Sequence, residues 1–240
     1  MLTIQGVSGV KLLDENGVPY GIKQIQNKPR VSSTPMGWDI AEGNVTDHRP
    51  IRVLGQNTDV DNVREDCIYW GGTYVFPPTA QQLEIVSTSI NDTSAGTGIQ
   101  QVELHYLDNL YIERDEHITL NGQTPVLTVA TNILRINGLH SIANGTGGVA
   151  AGTVSLRTIG GAGNIYAQIP IGLHTYLHAV YTVPAAMNFM VTDFTVGTGS
   201  VAGTRYCEFL LRATAHDDEG IIEYLSGVFH IWDIIAGQDA

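Results

Sequence analysis

Four groups of residues carry side chains that do chemistry elsewhere, and each is limited by its spacing. His174 and His178 stand four apart in a stretch that reads as a strand. There, both fall on one face but about 13 Å apart, too far for one metal ion to reach both. A row of hydrogen-bonding or interface side chains is the better reading. His216, Asp217, Asp218 and Glu219, followed by Gly220, gather oxygen ligands in an expected hairpin loop. They would hold Ca²⁺ only if the backbone turned its carbonyls inward, and a solvated acidic loop is the simpler expectation. Asn57-Thr58-Asp59-Val60-Asp61 starts like a calcium loop but lacks the glycine at the sixth position and the glutamate at the twelfth. Asp115 and Glu116 are adjacent, so on a strand they point to opposite faces and cannot flank one glycosidic bond.

No nucleophile elbow and no His-Glu-x-x-His zinc helix occurs in the sequence. Gly96-Thr97-Gly98 and Gly145-Thr146-Gly147-Gly148 lack the Lys-Ser/Thr ending and the strand-to-helix setting of a phosphate loop, so they read as turns. The expectation is a non-enzymatic chain with no catalytic residues, no cofactor and no metal site.

The elements that would carry any site are strands. Ile99, Gln101, Glu103 and His105 alternate with Gln100, Val102, Leu104 and Tyr106, the period of a strand packed on one side. Leu107-Asp108-Asn109-Leu110 and Asn121-Gly122 supply tight-turn residues on either side of a second strand, which predicts an antiparallel meander. Expected strands are Leu83–Ser89, Gln100–Leu107, Ile112–Leu120, Val126–Ala130, Ile133–Ile142, Gly152–Ile159, Ile165–Ile169, Thr175–Val183, Phe189–Val196, Arg205–Thr214 and Ile221–Trp232. Short strands separated by Asn, Asp, Gly and Pro predict an all-β protein, an antiparallel β-sandwich or jelly-roll-like domain over residues 67–240. Residues 1–66 are broken by Pro19, Pro29 and Pro35 and show little alternation beyond a hairpin or two near Asn16-Gly17. They read as an irregular extended N-terminal arm.

The chain has 240 residues, 43% of them hydrophobic, so a sizeable core is available. Only 15% are charged, against about 25% in an ordinary soluble domain. That implies an outer surface covered by other subunits, or one built from Thr, Ser, Asn and Gln. The net charge of −12 argues against nucleic acid as a partner. Lys11, Lys23 and Lys28, the only lysines, lie in the first 30 residues with Arg30, against Asp14 and Glu15. The first 30 residues are therefore +2 and the remainder −14, so this leading segment is suited to an acidic neighbouring surface. Trp38 and Trp70 are the aromatic candidates for anchoring a subunit contact. Together these six, Lys11, Lys23, Lys28, Arg30, Trp38 and Trp70, form the expected interface set.

Cys67 and Cys207 are far apart in sequence, have no zinc spacing and read as small buried hydrophobes. The N-terminus shows no cleavable signal, and no apolar run approaches the ~20 residues of a membrane helix. Neither a membrane nor a secretory route is expected.

An ordered set of short motifs adds a resemblance. Trp70-Gly71-Gly72-Thr73-Tyr74-Val75-Phe76-Pro77 is followed by Asp92-Thr93-Ser94-Ala95-Gly96-Thr97-Gly98, Leu107-Asp108 and Thr119-Leu120-Asn121-Gly122. Arg135-Ile136-Asn137, Ala151-Gly152-Thr153-Val154 and Tyr181-Thr182-Val183-Pro184 continue the series. In this order, over roughly residues 55–185, they resemble a family of virion structural proteins of tailed bacteriophages. The chain departs from that family's Val-Pro-Ala-Gly-Lys turn, with Ala185-Ala186-Met187 after Pro184. The resemblance implies a decoration, cement, head-fibre or other minor structural protein, located in the virion and assembled in the host cytoplasm. Its partners would be copies of itself, as a homotrimer, and the major capsid protein. The alternative it leaves open is a fibre- or tail-associated module that binds host glycan. It implies no catalytic residues.

Overall fold

A computed structural model describes residues 48–191 and 193–197, the strand segments 23–25, 28–30, 206–213 and 227–235, and the single residues Ile40 and Val45. Eleven strands are present in the described residues: β1 (Lys23–Ile25), β2 (Lys28–Arg30), β3 (Leu83–Ser87), β4 (Ile99–Leu107), β5 (Glu113–Thr119), β6 (Val126–Leu127), β7 (Arg135–Asn144), β8 (Val154–Thr158), β9 (Ile165–Ile169), β10 (Tyr206–Ala213) and β11 (Gly227–Ile235). All pairings between them are antiparallel. The protein is all-β, as its alternation predicts.

Contacts divide the chain into Met1–Asn188 and Phe189–Ala240. That division falls elsewhere than the boundary at 66/67 expected from composition. The second unit contains the β10–β11 hairpin, in which Tyr206 pairs with Ile235 and Ala213 with Gly227.

The first unit is a β-sandwich. One sheet has the order β6-β3-β8-β9 and the other β5-β4-β7. Its core is one continuous cluster: Leu83, Ile85, Val154, Leu156, Tyr166 and Ile169 from the first sheet meet Ile99, Val102, Leu104, Ile118, Ile136 and Leu139 from the second. Burial of a Leu or Ile side chain is worth roughly 1.5–3 kcal/mol, so this inner layer dominates the energetics. On β4 the inward set is Val102, Leu104 and Tyr106, which leaves Gln101, Glu103 and His105 on the outer face.

Three expectations are corrected. The β4–β5 hairpin forms, but the chain does not continue as a meander through Asn121-Gly122. At that point it leaves the three-stranded sheet for β6 of the other. Gly122, with φ 59°, makes the crossing; Ser87 N–H bonds its carbonyl and its own N–H bonds the Asp92 carbonyl.

Thr175–Val183 is not a strand. Its backbone changes partners along its length: Tyr176 N–H bonds Leu139 O, His178 N–H bonds Leu54 O, and Ala179 N–H bonds Cys67 O. It runs beside β7 at residues 174–176 and then beside the distant segment 54–68 at residues 178–179, so only isolated bridges form, His140 with Thr175 and Ile68 with His178. Phe189–Val196 likewise contains no strand among its described residues. The hairpin expected near Asn16-Gly17 lies outside the described residues; β1 and β2 form one instead, with Lys23 opposite Arg30.

The later part of the expected arm, residues 48–66, is extended and without strand. It is stitched to the sandwich by the His178–Leu54 bond and by a 2.5 Å bond from Arg49 Nη2 to Glu113 Oε1. Gly55 fits there because a Cβ would stand 2.4 Å from the Ala179 Cβ.

Candidate functional site

The outer face of the three-stranded sheet carries the densest group of titratable side chains in the described residues. Its arrangement follows from strand register. Glu103 on β4 is opposite His117 on β5 and His140 on β7. Facing cross-strand partners share one side of a sheet, so the three make a row across it. His105, two residues along β4 and so on the same face, is opposite Asp115 on one side and Gly138 on the other.

Gly138 decides what His105 can do. A Cβ at that position would lie 2.8 Å from the His105 Cδ2, so a side chain there would push the ring away. With hydrogen in its place, the ring leans over β7 and stacks on His140, with centroids 5.1 Å apart and planes at 21°.

Polar contacts fix the rest. Glu103 Oε2 is 3.0 Å from His140 Nε2 and 3.6 Å from His105 Nε2, while Glu103 Oε1 is 3.1 Å from His117 Nε2. The other nitrogen of His105, Nδ1, bonds Asp115 Oδ1. Burial lowers the His140 pKa from its ordinary value and the charge of a protonated His105 pushes the same way, against the opposing pull of Glu103. The arrangement can share protons among imidazoles and carboxylates or hold a cation between them.

The other sequence candidates are dispersed. His174 is exposed and His178 fully buried, so they share no site. His178 sits among aromatic rings, with centroids 4.3 Å from Tyr74, 5.6 Å from Tyr176 and 6.0 Å from Trp70. Neither of its ring nitrogens has a hydrogen-bond partner among the described residues, and burial pushes its pKa down to about 4.

The Asn57–Asp61 stretch spends its oxygens on local turns, with Asn57 Oδ1 accepting from Asp59 N–H and Asp61 Oδ1 from Val63 N–H. Glu116 uses both carboxylate oxygens on the N–H groups of Val129 and Ala130, which ties β5 to the chain beyond β6. His216–Gly220 lies outside the described residues.

Of the expected interface set, Trp70 is half-buried with its ring against His178. Lys23 lies on β1, and Lys28 and Arg30 on β2. Lys11 and Trp38 fall outside the described residues. Cys67 is half-buried, and burial raises its thiol pKa.

The motifs that carry the family resemblance turn out to be joints of the fold. Asp92 is fully buried; its Oδ1 accepts from the N–H groups of Ile99 and Ala151, and its Oδ2 from Gly152 N–H and the Ser87 hydroxyl. Asn137 and Thr182 exchange two bonds, Asn137 Nδ2 to Thr182 O at 2.7 Å and Thr182 N–H to Asn137 Oδ1 at 2.9 Å. Gly71 and Gly72 have φ of 73° and 80°, and the Gly72 carbonyl accepts from Asp66 N–H. Asp108 Oδ1 closes the β4–β5 turn by accepting from Leu110 and Ile112 N–H.

Comparison with protein-family models, with curated proteins and with solved structures found no match to this chain.

Proposed function

We propose that the chain is a non-enzymatic structural protein of a bacteriophage particle, decorating or cementing the head through self-association and contacts to the major capsid protein. The observation that carries this reading is the pairing of a low charge content with exposed large apolar side chains. Val129, Ile90, Leu110 and Ile171 are each more than half exposed, in a chain with only 15% charged residues. Ile51, Leu54, Val60 and Val63 add exposed apolar groups along the extended segment before the first sheet. Such side chains are covered when copies pack together, and the assembly proposed is a homotrimer. The ordered motifs of the resemblance point the same way.

The mechanism is geometric. The sandwich presents low-charge flanks to its own copies, while the lysine-bearing N-terminal segment reaches a neighbouring acidic surface. Detachment must then break several contacts together, an avidity effect.

The test uses particles of the parent phage. The full chain should sediment with them at a fixed stoichiometry, and a chain beginning at His48 should keep its β spectrum but attach far less. Absence from purified particles overturns the reading.

A host-glycan module on a fibre is the second reading. An open depression of about 470 Å³ lined by Tyr106, Asp115, Glu116 and Asn132 favours it. Against it, Tyr106 is buried and so presents no ring face to a sugar, and both Glu116 oxygens are engaged. Saturable binding of an oligosaccharide to the isolated protein would raise it above the first.

A further inference from the structure

We propose that Glu103, His105 and His140 bind a divalent first-row transition-metal ion, zinc or a close chemical relative, on the outer face of the three-stranded sheet. The inference stands independently of any role in a particle.

Distance is the first ground. One donor atom from each of the three residues lies within 4.8 Å of the others. Zinc binds nitrogen and oxygen at 2.0–2.2 Å, so two donors of one tetrahedral ion stand roughly 3.4 Å apart. The separations of Glu103 Oε2 from His140 Nε2 and His105 Nε2, 3.0 and 3.6 Å, bracket that value.

Ring orientation is the second ground. The bond between His105 Nδ1 and Asp115 Oδ1 turns the other ring nitrogen, Nε2, towards the Glu103 carboxylate, 3.6 Å from its Oε2. Asp115 behind His105 is also the carboxylate–histidine arrangement that orients metal-bound imidazoles and raises their basicity. His117, on Glu103 Oε1, holds the other end of the carboxylate.

Backbone support is the third. The ligands come from the centre strand and one neighbour of a hydrogen-bonded sheet, and Gly138 clears the space in which the His105 ring meets His140. Rigid strands hold ligand positions better than loops do.

The donor set selects the ion. Two imidazoles and one carboxylate suit zinc, cobalt, nickel or copper, whereas calcium and magnesium take oxygen ligands throughout. Three protein donors leave the remaining position to solvent. Asp115 is a positioning residue, acting only through His105.

The full chain, purified without a histidine tag, is titrated with ZnCl₂ by calorimetry and with Co²⁺ by visible absorption. The expected result is one saturable ion per chain with the intense visible bands of four-coordinate cobalt. His140→Ala, His105→Ala and Glu103→Gln should each weaken binding at least ten-fold. Asp115→Asn should weaken it ten- to a hundred-fold and shift the cobalt spectrum. His174→Ala should leave the isotherm unchanged. Circular dichroism establishes that each variant is folded; should an alanine variant unfold, the isosteric Glu103→Gln decides. No saturable uptake by the full chain, or an unchanged isotherm in folded Glu103→Gln, overturns the proposal.

Discussion

Gly98 passes so close to Asp92 that a Cβ on it would stand 2.1 Å from the Asp92 Oδ1. The space a side chain at position 98 would need is therefore taken by the buried carboxylate. Asp92→Ala would strip the acceptor from the N–H groups of Ile99, Ala151 and Gly152. Each buried group left unpaired costs about 1–3 kcal/mol, so the variant should lose roughly 3 kcal/mol or more by urea denaturation. Gly98→Ala should lose a comparable amount. A loss below about 1 kcal/mol in both would show that this joint carries little of the fold.

Glu84 is buried on β3, with Oε1 2.8 Å from Arg157 Nε on β8 and Oε2 accepting from Gly160 N–H. Burial raises its pKa, but the Gly160 bond, the Arg157 bond and the Arg157 charge together outweigh it, and the net shift is downward. Arg157→Met leaves the buried carboxylate with backbone N–H partners alone, a loss of a hydrogen bond to a charged group worth about 1.5–3 kcal/mol. The double variant Glu84→Gln/Arg157→Met should recover much of that loss. Failure of the second change to rescue the first would show that the arginine stem, not the charge, matters.

His178 predicts a pH dependence. Its pKa is about 4 in the fold against about 6.5 in an unfolded chain. Between these values the unfolded chain binds a proton that the folded one refuses. The stabilising contribution is therefore complete above pH 6.5 and lost as pH falls towards 4, to the extent of roughly 3 kcal/mol. In His178→Phe, the fall in denaturation midpoint across that window should be visibly shallower than in the parent. Parallel curves would mean that other groups account for the acid loss.

The exposed apolar residues predict a defined change in association. Light scattering on the full chain should give a multiple of 25.9 kDa, with three copies expected. Val129→Asp together with Leu110→Asp should shift the population to monomer and leave the thermal midpoint nearly unchanged, because both side chains are exposed. A parent that remains monomeric at high concentration removes self-association in solution, and association would then have to occur on the particle.

The sequence made the strands legible where one set of neighbours satisfies them. Gln100–Leu107 alternates cleanly because β4 is the centre of its sheet with one buried face, and the structure extends it by a single residue to Ile99. Thr175–Val183 is rich in β-branched and aromatic residues, but composition does not report hydrogen-bond partners, and here the partners switch between Leu139, Leu54 and Cys67. Asn121-Gly122 was readable as a turn, though nothing local says whether a turn closes a hairpin or passes to another sheet.

The outward cluster was half legible. Glu103 and His105 share a face by period alone, whereas His140, His117 and the clearance at Gly138 depend on register between strands distant in sequence. A lone histidine in an ordinary strand gives no sign of that register.

The crossing at Gly122 also fixes an order of events. β4 and β5 are near neighbours in sequence and can zip together as soon as both exist, since closing a short loop is fast. β3, with Leu83 and Ile85 on its inner face, is made before them, yet its long partner β8 lies beyond β7. As the chain emerges from the ribosome, an apolar strand with unpaired edges must therefore wait while the opposite sheet is completed. That interval is when the nascent protein is most open to pairing with the wrong strand, including the same strand of another copy.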